Sequence, residues 1–183
     1  MAIPFLIFAK DYSVIDFGAK GNGVSDDASA IQKAIDACSE AGGGNVVFST
    51  NHTFISGPVE LKSNINIVLE ANSVWKANPD ESIYKLSAFG DNRGEGMMWI
   101  YAKDAKNISI TGKGTIHGNG VVFMGKELHD SYELKPVTTF DPRPHVLTLF
   151  GVDNLTIRDI TIRDGAYWTV HLIGCNGAVI DGI

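Results

Sequence analysis

A four-residue phrase returns along this chain. Asn64-Ile-Asn-Ile, Asn107-Ile-Ser-Ile and Asn154-Leu-Thr-Ile share an Asn lead and alternating apolar positions, and a shifted version, Gly177-Ala-Val-Ile, begins 23 residues after Asn154. A recurrence at twenty-odd residues marks a unit that cannot bury its apolar face alone and must stack on copies of itself. In such a strand the branched residues alternate inward while Thr, Ser and Arg point out. Asn at a corner accepts left-handed backbone and can pair its amide with the next coil. The pattern predicts an all-β chain wound as a right-handed parallel β-helix, a solenoid.

Strand-like runs, mostly β-branched and bounded by Gly, Asn or Asp, fill most of the chain: NVVF (45–48), NINIVLE (64–70), MWIYA (98–102), NISITG (107–112), HVLTLF (145–150), NLTIRDITIRD (154–164), WTVHLIG (168–174) and GAVIDGI (177–183). One segment has another period. Ala30, Ile31, Ala34, Ile35 and Cys38 fall on a single helical stripe, with Gln32, Lys33, Asp36 and Glu40 opposite. Asp26 or Asp27 can cap its start, and Gly42 to Gly44 stop it. The first coil of a solenoid exposes apolar interior and unpaired backbone, so a lone amphipathic helix before it reads as a lid. The expectation is one β-helix domain over 1–183, truncated at its C-terminus, with a cap helix about 26–41 and coils about 45–183.

With 183 residues, 44% of them hydrophobic, the chain is long enough for one continuous core. A net charge of −6, no basic stripe, and only Arg93, Arg143, Arg158 and Arg163 among fifteen cations argue against a nucleic-acid partner. The opening MAIPFLIFA is apolar, yet it lacks a basic n-region, a full h-region and a clear cleavage site. It reads as a leading strand or the tail of a trimmed signal, too short to span a bilayer. Cys38 and Cys175 form no C-x-x-C pair and read as small buried hydrophobes, with a bridge between them the alternative.

The segments DFGAKGNGVSDDASAIQKAIDAC, AGGGNVVF and SGPVELKSNINIVLEANSVWKA resemble the N-terminal cap and first coils of pectin-degrading β-helix proteins. Farther on, ITGKGTIHGNG, Arg143-Pro144 ahead of VLTLFGVDNLTIRDITIRD, and AYWTVHLIGCNGAVIDGI resemble the middle of glycoside hydrolase family 28, the polygalacturonases. The resemblance runs from about residue 11 to the last. It implies a secreted or periplasmic hydrolase acting on pectin, polygalacturonate or a related polysaccharide, without cofactor or metal. Two departures stand out. His117 occupies a position where the family usually has Asp, and reads as a solvated corner residue. The family's Asp-bearing catalytic motifs follow the W-x-V-H line, beyond DGI at the end of this chain, so no catalytic residue is assigned and these residues alone are not expected to hydrolyse.

Hydrolysis with inversion needs two carboxylates converging on one groove. Besides the cap and loop acids, those present are Asp153, Asp159, Asp164 and Asp181, of which Asp159 and Asp164, each following an Arg, read as paired surface charges on a solvated coil. The substrate-binding candidates are His171, Trp168 and Arg143. An indole offers an apolar face to a pyranose, an imidazole donates to a hydroxyl or carboxylate, and an Arg held extended before Pro144 can meet a uronate bidentately or orient a coil. Residues three apart on a strand face opposite sides, so at most one of Trp168 and His171 is expected in an external groove. Tyr167 is a similar case. The loop from Val121 to Pro142, with Lys126, His129, Tyr132 and Lys135, interrupts the repeat as a wall of a binding face would. Sequons at Asn51, Asn107 and Asn154 read as turn residues, and Gly21-Asn22-Gly23 lacks phosphate-loop spacing. The alternative function is a non-catalytic carbohydrate-binding or tailspike-type β-helix. A β-helix lyase would need a calcium cluster of acids on successive strands, and no such cluster is present in the sequence.

Overall fold

The computed structural model describes residues 10–89, 96–127, 134–136 and 143–183. Three parallel sheets form its walls. The first contains, in spatial order, Asp11–Ser13, Gly44–Phe48, Ile65–Leu69, Lys106–Gly112, Asp153–Arg158 and Asn176–Asp181. The second contains Asn22–Asp26, Thr53–Ser56, Val74–Ala77, Thr115–His117 and Thr161–Arg163. The third contains Val59–Glu60, Met97–Lys103, Pro144–Phe150 and Val170–Ile173. The chain visits the three in turn, and each circuit is one coil of a right-handed parallel β-helix. Strands Met124–Glu127 and Leu134–Pro136 pair antiparallel inside the loop of the third coil; they carry Lys126 and Lys135, whereas His129 and Tyr132 lie outside the described residues.

The register explains why the repeat was visible. Val46, Ile67, Ile110 and Ile157 are aligned on neighbouring strands of the first sheet, and each is fully buried. Phe54, Trp75 and Ile116 make the matching column on the second sheet, and Val59, Ile100 and Leu147 on the third. Each fully buried aliphatic contributes about 1.5–3 kcal/mol of transfer free energy. At the corner entering the first sheet, Asn64, Asn107 and Asn154 adopt φ of +64°, +56° and +60°. The Asn107 amide donates to Asn64 Oδ1 at 2.8 Å, and that of Asn154 donates to Asn107 Oδ1 at 2.9 Å. Asn51, the third sequon residue, also has positive φ, +59°. The run NLTIRDITIRD is not one strand: Asp159, at φ +58°, turns the chain from the first sheet to the second. Gly112 has φ +130°, and a Cβ there would collide with the Leu69 carbonyl, so the turn between these sheets requires glycine.

Helix α1, Ala28–Glu40, buries Ala30, Ile31, Ala34, Ile35 and Cys38. It follows the first rungs of the first and second sheets, at Asp11–Ser13 and Asn22–Asp26, and stands where the third sheet has no rung of its own. There Gln32 replaces a missing strand. Its amide nitrogen donates to the Glu60 carbonyl at 3.0 Å while its oxygen accepts from the Glu60 N–H at 2.8 Å. The helix is thus a lid that also satisfies an edge. Of the two capping candidates, the structure selects Asp26. Asp27 occupies the cap position but its carboxylate turns back to accept from the Lys20 and Gly21 N–H groups, at 2.7 and 3.0 Å. Asp26 serves the helix instead, accepting from the Ala28 N–H at 2.8 Å. Inside the coils, Phe48 stacks on Trp75 at 4.6 Å and meets Phe54 edge-on at 5.3 Å. Both cysteines are free; Cys38 is buried in the helix stripe, and the Cys175 thiol faces the Leu149 carbonyl at 3.3 Å.

Candidate functional site

The candidate residues gather at the third sheet. Register aligns Glu60 with Tyr101, Tyr101 with Thr148, and Thr148 with His171, one residue per rung. Register also aligns His145 with Met98. His145 and Thr148 are fully buried polar residues. A strap, residues 86–89, runs beside His145. It lies antiparallel to the start of Met97–Lys103, with the Met98 N–H donating to the Leu86 carbonyl and the Ala88 N–H to the Gly96 carbonyl, each at 2.8 Å. Phe89 on this strap meets His145 edge-on at 5.7 Å and Trp168 at 5.9 Å.

Around His145 the structure gathers all three sequence candidates. Trp168 stacks on the His145 ring at 5.3 Å and remains 48% exposed. His171 meets Trp168 edge-on at 4.3 Å and sets its Nδ1 3.2 Å from the Nδ1 of His145. Arg143 places its guanidinium carbon 4.6 Å above the Tyr167 ring, a cation–π contact, and Tyr167 in turn lies 5.1 Å from His145. The expectation that Trp168 and His171 face opposite sides fails. The strand begins at Val170, so Trp168 lies in the preceding turn, where period-two alternation does not apply. Sequence reasoning passed over His145 and Phe89. His145 was findable by aligning HVLTLF with WTVHLIG, which sets Thr148 beside His171; Phe89 gave no local signal.

Burial holds the pKa of His171 below its ordinary value. Two facing Nδ1–H groups would also repel, so the pair accommodates one Nδ1 proton. Tyr101 is pushed up, chiefly by burial and then by Glu60, against the opposing Lys62. The four acids weighed from sequence lie elsewhere. Asp153 and Asp181 are on the first sheet, Asp159 is at its corner, and Asp164 follows the second sheet. Arg158 pairs with Asp181 at 3.4 Å and Arg163 with Asp164 at 2.7 Å. Among the described residues, no group of three or more His, Cys, Asp or Glu is arranged to hold a metal. No described helix is long and apolar enough to cross a membrane.

His117 proves more than a solvated corner. Its Nδ1 accepts from the Asn119 N–H at 3.0 Å, the bond an Asp carboxylate would make to the residue two ahead, and its Nε2 lies 3.2 Å from Asp164 on the next coil. The imidazole keeps the acceptor and adds a donor between coils.

A family model described as rhamnogalacturonase A/epimerase, pectate lyase-like, matches residues 12–129. The chain belongs to this family. Polygalacturonase of Malus domestica is 29% identical over 168 residues, covering 90% of this chain and 33% of that protein. Mannuronan C5-epimerase AlgE2 of Azotobacter vinelandii is 33% identical over 180 residues, covering 84% of this chain and 17% of that one. The family 28 exopolygalacturonase structure of Yersinia enterocolitica shares the fold, with a TM-score of 0.75 at 24% identity over 95% of this chain and 38% of its own. The chain therefore spans a third or less of these curated relatives. Membership in the pectate lyase-like family, with a polygalacturonase among the relatives, accords with the resemblance to glycoside hydrolase family 28 seen in the motifs.

Proposed function

We propose that the outer face of the third sheet, centred on Trp168, His171 and Arg143, binds a polysaccharide of the pectin class for a polygalacturonase-type hydrolase. The observation that carries this reading is the half-exposed Trp168, held in place from beneath by the buried His145 ring and edged by His171. A preorganised indole of this kind takes a pyranose face without ordering cost. His171 keeps Nε2 for a sugar hydroxyl, since its Nδ1 is spent on His145. Arg143 supplies the charge that a uronate carboxylate would meet.

Cleavage requires an acid to protonate the leaving oxygen and a base to activate water across the sugar plane. Among the described residues, no such carboxylate pair adjoins the Trp168 cluster. The residues here bind and orient the polymer, and the whole protein's hydrolysis is part of the proposal. The same observation favours, as second reading, a carbohydrate-binding β-helix without turnover. An intact polysaccharide does not cross a membrane, which favours a secreted or periplasmic site of action.

Tryptophan fluorescence tests the reading, because Trp75 and Trp99 are fully buried and Trp168 is not. Oligogalacturonate should perturb the emission of the wild type and leave Trp168→Ala unchanged; no response in the wild type overturns the proposal. Release of reducing ends from polygalacturonate by the full-length gene product decides between hydrolase and binding module.

A further inference from the structure

Two imidazoles and a hydroxyl converge beside Trp168. The Nδ1 atoms of His145 and His171 are 3.2 Å apart, and Thr148 Oγ1 is 3.4 Å from the same His145 nitrogen. We propose that these three atoms form a site for a zinc-class divalent ion, with the fourth position left to water or to a ligand from solution. The inference does not depend on what the Trp168 face binds.

Distance is the first argument. A pair of imidazoles sharing one proton explains 3.2 Å, but a hydroxyl bonded to an imidazole normally comes within about 3.0 Å, so hydrogen bonding leaves the Thr148 contact unexplained. A common ion explains both. Two ligand atoms each about 2.0–2.1 Å from a tetrahedral zinc stand about 3.3–3.4 Å from one another. Register brings the third pair of donors together as well, since Thr148 and His171 are partners on neighbouring strands, whose backbones lie about 4.8 Å apart.

Rigidity is the second. A ligating imidazole binds best when its ring is fixed before the ion arrives. Trp168 stacks on His145 at 5.3 Å and Phe89 meets it edge-on at 5.7 Å, while His171 meets Trp168 edge-on at 4.3 Å. Thr148 is fully buried, and its branched Cβ restricts χ1. His171 is only partly buried, which leaves the pair reachable from solvent.

Donor type is the third. Imidazole nitrogen selects zinc, copper and nickel over calcium and magnesium, which take oxygen ligands. Threonine stands where commoner zinc sites have a third His or a carboxylate. Binding asks for no redox step. The one Nδ1 proton leaves for Nε2 of its own ring, and each ring stays neutral with its Nδ1 lone pair turned to the ion.

Titration of the 183-residue chain, first dialysed against a chelator, with Co²⁺, Zn²⁺ and Ca²⁺ tests the site. The wild type should bind one Co²⁺ with the visible absorption bands of a four-coordinate ion, exchange it for Zn²⁺, and ignore Ca²⁺. Zn²⁺ should also raise the melting temperature. His171→Leu should abolish the bands. Because that variant also gives up a contact to a buried ring, Thr148→Val, of nearly the same shape, serves as the second test. It should keep the fold and weaken Zn²⁺ about tenfold. The double variant His52→Gln, His117→Asn, which removes two histidines far from the site in the register, should bind as the wild type does. A wild type without the Co²⁺ bands, a one-to-one site that survives His171→Leu, Ca²⁺ bound as tightly as Zn²⁺, or a Thr148→Val variant with wild-type affinity each overturns the proposal.

Discussion

The Nδ1 atoms of His145 and His171 face each other at 3.2 Å. One must donate and the other accept, which fixes a single proton between the rings and leaves Nε2 as the His171 nitrogen not spent on the pair. His145 thereby does two things at once: it supports the Trp168 plane from below and sets the orientation of the imidazole beside it.

His171→Leu removes one partner of the His145 Nδ1. Thr148 Oγ1, 3.4 Å from that nitrogen, is poorly placed to replace it. The expected cost is about 1–3 kcal/mol, the penalty for a buried polar atom that loses its bond. A urea midpoint unchanged from wild type would mean that the pair contributes nothing to stability.

Acidification should destabilise the coils through two histidines. Burial, with Arg163 next, lowers the pKa of His117, and burial lowers that of His171. Both titrate near 6.5 when unfolded and lower when folded. In that window the unfolded chain binds more protons, so stability rises with pH and is lost as pH falls through about 6.5 toward the folded values. The melting temperature should drop between about pH 7.5 and about pH 5.5. In His117→Asn, whose carbonyl can still accept from the Asn119 N–H, the drop should be smaller. An equal drop in the variant would remove His117 from the explanation.

The legibility of this chain follows from where its signals reside. The first sheet announced itself because its three middle rungs, Ile65–Leu69, Lys106–Gly112 and Asp153–Arg158, have Asn64, Asn107 and Asn154 at left-handed corners and carry two or three buried aliphatics each, as at Ile108 and Ile110. The second sheet stayed hidden. Thr115–His117 buries one residue, Ile116, and Val74–Ala77 carries a lysine in its middle, so neither shows an alternation long enough to read. Trp168, His171 and Arg143 were recognisable by type, but their meeting point depends on Thr148 lying beside His171, a pairing across coils. His145 needed that register, and Phe89 arrives on a strap between rungs. Local sequence carried the walls of the solenoid; the site is a product of stacking.

Ser56 is a polar point in an aromatic core. Its hydroxyl accepts from the indole nitrogens of both Trp75, at 2.7 Å, and Trp99, at 3.1 Å, and all three residues are fully buried. Ser56→Ala deletes one oxygen and orphans two donors. The expected loss is about 2–4 kcal/mol, from two buried N–H groups at the lower end of their individual cost. Denaturant unfolding should show a lower midpoint with an unchanged slope, and near-ultraviolet dichroism should change as the two indoles reorient. A loss under about 0.5 kcal/mol would show that one tryptophan finds another acceptor.

The asparagine ladder separates backbone strain from hydrogen bonding at a single position. Asn107 holds φ +56° while its amide donates to Asn64 at 2.8 Å and its oxygen accepts from Asn154 at 2.9 Å. Asn107→Ala loses both bonds and also forces a Cβ-bearing residue without a compensating side chain into left-handed backbone, a conformation costing roughly 1–2 kcal/mol. Asn107→Gly loses the same bonds but relieves that strain. Since the ladder is exposed, each of its bonds contributes about 0.5–1 kcal/mol. Alanine should therefore destabilise by about 2–4 kcal/mol and glycine by about 1–2 kcal/mol, the difference reporting the corner and the remainder the ladder. Equal losses would place the whole effect in the amide stack. A glycine variant as stable as wild type would reduce the ladder to a by-product of the corner, with the buried isoleucine columns alone setting which rung lies above which.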